Sequence, residues 1–141
     1  MAYPLKAWHT TFPYGVKYQN GTIHKGIDGR AEIGTPVYAS VSGVVVHSGV
    51  HKFRKGWGTA FGIHVIVDND KFKNGDAGLW AGYCHLSKVA IAVGQRVAKG
   101  DLIGWSGNTG NSTAPHLHFQ ILSTRTWNPR KHVNPKRWLE S

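Results

Sequence analysis

Turn signals recur so often along this chain that long helices are hard to place in it. Asn20-Gly21, Ser42-Gly43, Asn74-Gly75, Lys99-Gly100 and the run from Gly107 to Asn111 interrupt it at short intervals. Glycine supplies 18 of 141 residues, nearly twice the average usage of about 7%. The segments between the turns are short and rich in Val, Ile and aromatic residues, as strands require. Over 61–68 the odd positions Phe61, Ile63, Val65 and Val67 share one face, with His64 and Asp68 on the other. The stretch 37–46 reads as a hairpin turning at Ser42-Gly43, and 79–86 and 115–122 also suit strands. No window keeps an apolar i, i+3, i+4, i+7 pattern for three turns. The expected fold is mainly β, a single-domain antiparallel β-sheet with a barrel-like or sandwiched arrangement, over 1–141 with no linker or repeat.

Charge narrows the partners without choosing one. Seventeen Lys and Arg against seven Asp and Glu leave a net +10, concentrated in the second half: seven basic against four acidic residues in 1–70, ten against three in 71–141. Such a field draws anionic polymers, whether nucleic acid, anionic lipid or the acidic polymers of a cell wall. No apolar run approaches the roughly 18 to 20 residues of a membrane span. Residues 1–15 mix Lys6, His9 and Pro13 among apolar residues and carry no signal-peptide apolar core. Cys84 is the only cysteine, so no internal disulfide is possible. A buried, inert thiol is the simplest reading of it.

The nine histidines carry the chemistry through their spacing. In His24-Lys25-Gly26-Ile27-Asp28 the imidazole and carboxylate at i and i+4 face the same way, and Gly26 favours an extended or bulged backbone. In Pro115-His116-Leu117-His118-Phe119 a strand puts both histidines on one face, while Leu117, Phe119 and Ile121 point to the core. Two adjacent imidazoles are best explained by a site that keeps them neutral, as a metal ligand or general base must be. In Tyr83-Cys84-His85-Leu86-Ser87 alternation sets His85 with Leu79, Ala81 and Tyr83, and Cys84 opposite. Two histidines and one carboxylate form a standard catalytic zinc set with a fourth position for water. There is no His-Glu-x-x-His motif to supply a glutamate base, so the spare histidines are the candidates for that work.

These three motifs, in this order, resemble the lysostaphin- or LytM-type zinc endopeptidases of bacterial cell walls. The connecting phrases Gly34-Thr35-Pro36-Val37-Tyr38-Ala39 and Val93-Gly94-Gln95-Arg96-Val97-Ala98-Lys99-Gly100 are similar too, as is the run from Gly104 to Phe119. The resemblance covers about 14–138. It implies one Zn2+ held by His24, Asp28 and His118, with His116 and His85 as catalytic histidines acting on the attacking water. It also implies a groove-lining tyrosine, for which Tyr18 and Tyr14 are the candidates. The segment Phe72–Leu79 departs from the family and is expected to form a groove wall.

The function expected is hydrolysis of peptide bonds in the stems or cross-bridges of bacterial peptidoglycan. The partners are then peptidoglycan and anionic wall polymers, with no nucleic acid and a monomeric state. The setting expected is a phage endolysin or virion-associated lysin that reaches the wall through host lysis, a holin or the virion. The alternatives are a catalytically inactive wall-binding or hydrolase-activating member of the same fold, a Cys84 peptidase, and a basic nucleic-acid binder. His9, His47, His51, His64 and His132 take the bland structural reading, and Trp57, Trp80 and Trp105 are read either as lining a groove or as core or rim packing.

Overall fold

The structure, a computed structural model, describes residues 1–50, 59–74, 77–123 and 132–139. Among them are ten strands: β1 (Thr10–Phe12), β2 (Ile27–Arg30), β3 (Pro36–Tyr38), β4 (Gly43–Gly49), β5 (Ile63–Asn74), β6 (Ala77–Val89), β7 (Arg96–Val97), β8 (Leu102–Ser106), β9 (His116–Leu122) and β10 (His132–Val133). Helix among the described residues is limited to a 3-10 turn, Thr59–Phe61, and one turn of α-helix, Lys136–Leu139. All strand pairings are antiparallel, in the order β1-β2-β9-β6-β5-β4-β7, with β10 on β9 and β3 reaching β6 through β8. The β class and antiparallel pairing agree with the sequence pattern, and the path stays open from β1 to β7 rather than closing into a barrel.

Strand alternation builds the core. Leu117, Phe119 and Ile121 of β9 meet Leu79, Ala81 and Tyr83 of β6 and Val65 and Val67 of β5 in the main apolar cluster, nearly all of it fully buried. A second cluster, Ile66, Trp80, Cys84 and Leu122, covers the other face of the same central strands, with Phe61 and Val46 against it. Over 64–67 both faces of β5 are therefore dry, and His64 on its second face is 0% exposed. Central strands buried on both sides hold their registers tightly, because a slip by one residue exchanges the two faces.

The hairpin read over 37–46 does not form. β3 pairs with β8 (Val37 opposite Gly104) and β4 with β5 and β7 (Val45 opposite Val67). The segment between them is held by distant partners instead. Ala39 N–H donates to the Asp101 carbonyl at 2.8 Å, and Ser40 N–H donates to the buried Tyr83 hydroxyl at 2.9 Å. Gly43 answers to space rather than to a turn, since a Cβ there would strike the Asp68 carbonyl across the β4–β5 pair.

Candidate metal centre

The register of β2 on β9 assembles the site. Asp28 lies opposite His118 and Arg30 opposite His116, so these four side chains share one face of the sheet. His24 arrives from the loop before β2, where its backbone N–H donates to the Val16 carbonyl at 2.8 Å. Gly26 is required by packing: a Cβ there would meet the Phe119 carbonyl and come within 2.8–2.9 Å of the His118 ring.

The candidate ligand atoms converge within 4.8 Å of one another. His118 Nδ1 lies 2.9 Å from Asp28 Oδ1, His24 Nε2 3.2 Å from the same oxygen, and the two ring nitrogens 3.1 Å apart. The outer bonds fix which nitrogens carry protons. His24 Nδ1–H donates to the Pro13 carbonyl at 3.0 Å, and His118 Nε2–H donates to Gln120 Oε1 at 3.0 Å. The inward His24 Nε2 and His118 Nδ1 are then lone pairs, pointed at each other and at a carboxylate oxygen. Three converging donor atoms could hold a metal ion, and two imidazoles with one carboxylate match zinc's preferences. Burial works to raise the Asp28 carboxyl, but hydrogen bonds and positive charge from His118 and His24, present whenever an inward nitrogen carries the proton, outweigh it and hold the group well below the ordinary carboxylate range.

His85 and His116 stand beside this triad, their ring centroids 4.9 Å apart. Each again has Nδ1 tied to a carbonyl: His85 to Thr109 at 2.6 Å and His116 to Ala114 at 2.8 Å. That leaves both Nε2 atoms as bare acceptors, and His116 Nε2 lies 3.7 Å from Asp28 Oδ2. Burial lowers His85 to about 4, with the His118 and His116 charges acting the same way against the Thr109 hydrogen bond. His85 is thus neutral at pH 7.

Plain alternation would have turned His85 into the core with Tyr83, but the chain bulges there. Leu86 pairs with Ile63 and Tyr83 with Val65, so Cys84 and His85 together oppose His64 alone. His85 takes φ +62°, the only positive value for a non-glycine among the described residues. A left-handed histidine costs on the order of 1–3 kcal/mol and persists only where its surroundings enforce it. Here the Thr109 loop does so. Gly62 and Gly110 pack backbone to backbone, at φ +64° and +75°, and Thr109 Oγ1 accepts from Ile63 N–H at 3.1 Å. Leu86 thereby returns to the core and His85 faces the ligands.

The rings open into a cleft of about 300 Å3 lined by Tyr18, Phe61, Asn111 and Thr113 as well as the histidines. It continues past Asp28 and His116 into a groove of about 460 Å3 walled by Phe12, Arg30, Ala114 and Pro115. Of the two tyrosine candidates, Tyr18 lines both. Tyr14 lies elsewhere, its hydroxyl 2.8 Å from His132 Nδ1 in a separate pocket with Tyr3 and Lys136. The segment 72–79 does not wall the cleft in its described side chains. Phe72 packs edge-on against Trp138 and Leu79 is core, while Gly75 and Asp76 lie outside the described residues. Cys84 is fully buried in the second cluster, and its thiol is pushed up by burial and by Asp28, which removes it as a nucleophile. Trp80 and Trp105 do not line the cleft, and Trp57 and His51 lie outside the described residues. Sequence reasoning missed Gln120, although it sits two residues past His118 on the same strand face. It also missed the carbonyls of Pro13, Thr109 and Ala114, which have no side-chain signature.

An open antiparallel sheet that carries a candidate His-Asp-His metal site flanked by His85 and His116 is the arrangement of a metallopeptidase-like centre. The chain belongs to Peptidase family M23, whose family model matches residues 22–135. It is 41% identical over 130 residues to glycyl-glycine endopeptidase ALE-1 of Staphylococcus capitis, covering 92% of this chain and 32% of that protein. It is 39% identical over 99 residues to peptidoglycan DD-endopeptidase ShyA of Vibrio cholerae, covering 70% and 20%. The solved catalytic domain of lysostaphin from Staphylococcus simulans superposes with a TM-score of 0.79 at 34% identity, covering 95% of this chain and 93% of that one. The chain spans about a fifth to a third of the length of the curated relatives it matches.

Proposed function

We propose that the chain is a zinc-dependent endopeptidase that hydrolyses peptide bonds in the stems or cross-bridges of bacterial peptidoglycan. The observation that carries the reading is the proton arrangement. His24 and His118 each turn their outer ring N–H to an acceptor, as do His85 and His116, so four inward ring nitrogens and one carboxylate face a single cleft. The names of two relatives, a glycyl-glycine endopeptidase and a peptidoglycan DD-endopeptidase, support the substrate class.

His24 Nε2, Asp28 and His118 Nδ1 would hold the ion, which when bound supplies Lewis-acid polarisation of the scissile carbonyl and acidifies water. His116 is the better placed of the other two histidines to take the water's proton on Nε2, because Asp28 Oδ2 lies within reach of the resulting imidazolium. From there the proton passes to the leaving amine. His85 keeps its lone pair under all ordinary conditions and accepts a hydrogen bond that orients the water. Tyr18 and Phe61 wall the cleft and thin the water around the reacting carbonyl.

The test is release of new amino termini from purified peptidoglycan, with chelator and then with zinc restored. Chelator-sensitive release that zinc restores supports the proposal. No release from walls of several cross-link chemistries, with zinc bound, overturns it in favour of an inactive wall-binding member. Delivery as a phage lysin or virion component is a separate proposal, decided by whether the protein is found in purified particles, free in the lysate, or in neither.

A further inference from the structure

Arg30 lies on the ligand face and neither holds the metal nor serves the water. Its partner across the strands is His116, about 5 Å away between Cα atoms, and Asp28 is two residues back on the same face, about 7 Å along the strand. It is exposed and lines the groove with Phe12 and Pro115. Its guanidinium forms no ion pair with any carboxylate among the described residues. The nearby Asp28 is already engaged by His24 and His118. A planar five-donor cation beside the reacting centre, with an apolar wall behind it, is built to receive a carboxylate in two parallel hydrogen bonds.

We infer that Arg30 determines specificity at the proposed peptidase site by binding a carboxylate of the substrate peptide, within about two residues of the scissile amide. This rests on the peptidase reading of the site. The span follows from the strand: an extended peptide advances about 3.3 Å per residue, so two residues cover the distance from Asp28 to Arg30. The preferred substrate is then a cross-link that carries a free carboxylate beside the bond, as a direct D-Ala–diaminopimelate link does. A bridge of glycines alone offers Arg30 nothing. Two sources can present that carboxylate: the carbon that bears the scissile nitrogen, or a chain end one or two residues further on.

Four synthetic peptides separate these possibilities: a D-Ala–diaminopimelate peptide with both carboxylates free, the same peptide amidated at the internal carboxylate, the same amidated at the chain end, and pentaglycine. Wild type should cleave the free form about tenfold better in kcat/KM than the amidated form that removes the contact, the size of a charge-assisted hydrogen bond discounted for exposure. In Arg30→Gln that ratio should collapse towards one. Whichever amidation matters names the source. A ratio near one in wild type, or one that survives in Arg30→Gln, overturns the inference. The same peptides with a ketomethylene group replacing the scissile amide cannot be cut, and their affinities are measured on both proteins by calorimetry. If no peptide is cleaved, the peptidase reading fails, while the carboxylate-to-amide affinity ratio still decides for or against Arg30.

Discussion

Replacing Gln120 with leucine tests whether the outer hydrogen bond sets metal affinity. Gln120 is 4% exposed and His118 7%, so no water can replace the lost acceptor of His118 Nε2–H. A buried donor without a partner costs about 1–3 kcal/mol. The metal-free protein can escape that cost by moving the proton to Nδ1, which then donates to Asp28 Oδ1, already 2.9 Å away. The metal-bound protein cannot, because Nδ1 is the ligand atom. The penalty therefore falls on the bound state, and at 1.4 kcal/mol per tenfold zinc should bind roughly 10- to 100-fold more weakly. Gln120→Glu keeps an acceptor of the same size and should bind zinc at least as tightly as wild type. Zinc affinity is read by competition with a chromogenic chelator, with circular dichroism to show that each variant is folded. Wild-type affinity in Gln120→Leu, or equal losses in both variants, would refute the reasoning.

Within the histidine pair, His118→Ala should lose both zinc and activity, whereas His116→Ala should retain most zinc and lose turnover by about 10²- to 10⁴-fold; metal analysis of the purified variants shows if the order is reversed. Gly26→Ala forces a methyl against the Phe119 carbonyl and the His118 ring, and should cost about 1–3 kcal/mol in urea unfolding together with weakened zinc binding; unchanged zinc affinity would show that the ring has room to retreat. His64 is pushed down to about 4 by burial, with the Gly62 hydrogen bond opposing and the His47 and His85 charges assisting. Since the unfolded chain keeps the ordinary value near 6.5 and binds the proton first, stability is complete above about pH 6.5 and drains away as pH falls towards 4. With chelator present throughout, wild type should lose roughly 2 kcal/mol more than His64→Gln between pH 7 and 4.5; equal losses would remove His64 from the account.

Sequence pattern revealed those parts of the molecule that depend on two-residue periodicity. The core row Leu117, Phe119, Ile121 and the outward pair His116, His118 follow from alternation alone, and the structure keeps both. His24 and Asp28 had the right spacing, and β2's register on β9 brings them to His118. What sequence pattern could not give was set by contacts far along the chain. Ser42-Gly43 looks like a turn, yet it begins a strand whose partner lies some 25 residues further on. Tyr14 and Tyr18 are equivalent as letters, and only the path of the loop before His24 sends one to the cleft and the other to His132. Main-chain carbonyls fix three of the four histidine tautomers, and a carbonyl is present at every position of any sequence.

The bulge at Cys84–His85 switches the parity of β6 at Leu86. Before it, odd-numbered residues face the core; immediately after it Leu86 does, until a second register shift before Lys88 returns Val89 to the core side. One residue is thus the whole difference between a sheet that carries this site and a plain sheet. Deleting His85 restores alternation from Tyr83 to Leu86, leaves every residue of both apolar clusters in place, and removes the imidazole from the cleft. Insertions or deletions that retain the fold while extinguishing the chemistry are therefore one codon long at this position, and a relative with an intact sheet and a silent site need differ by no more than that.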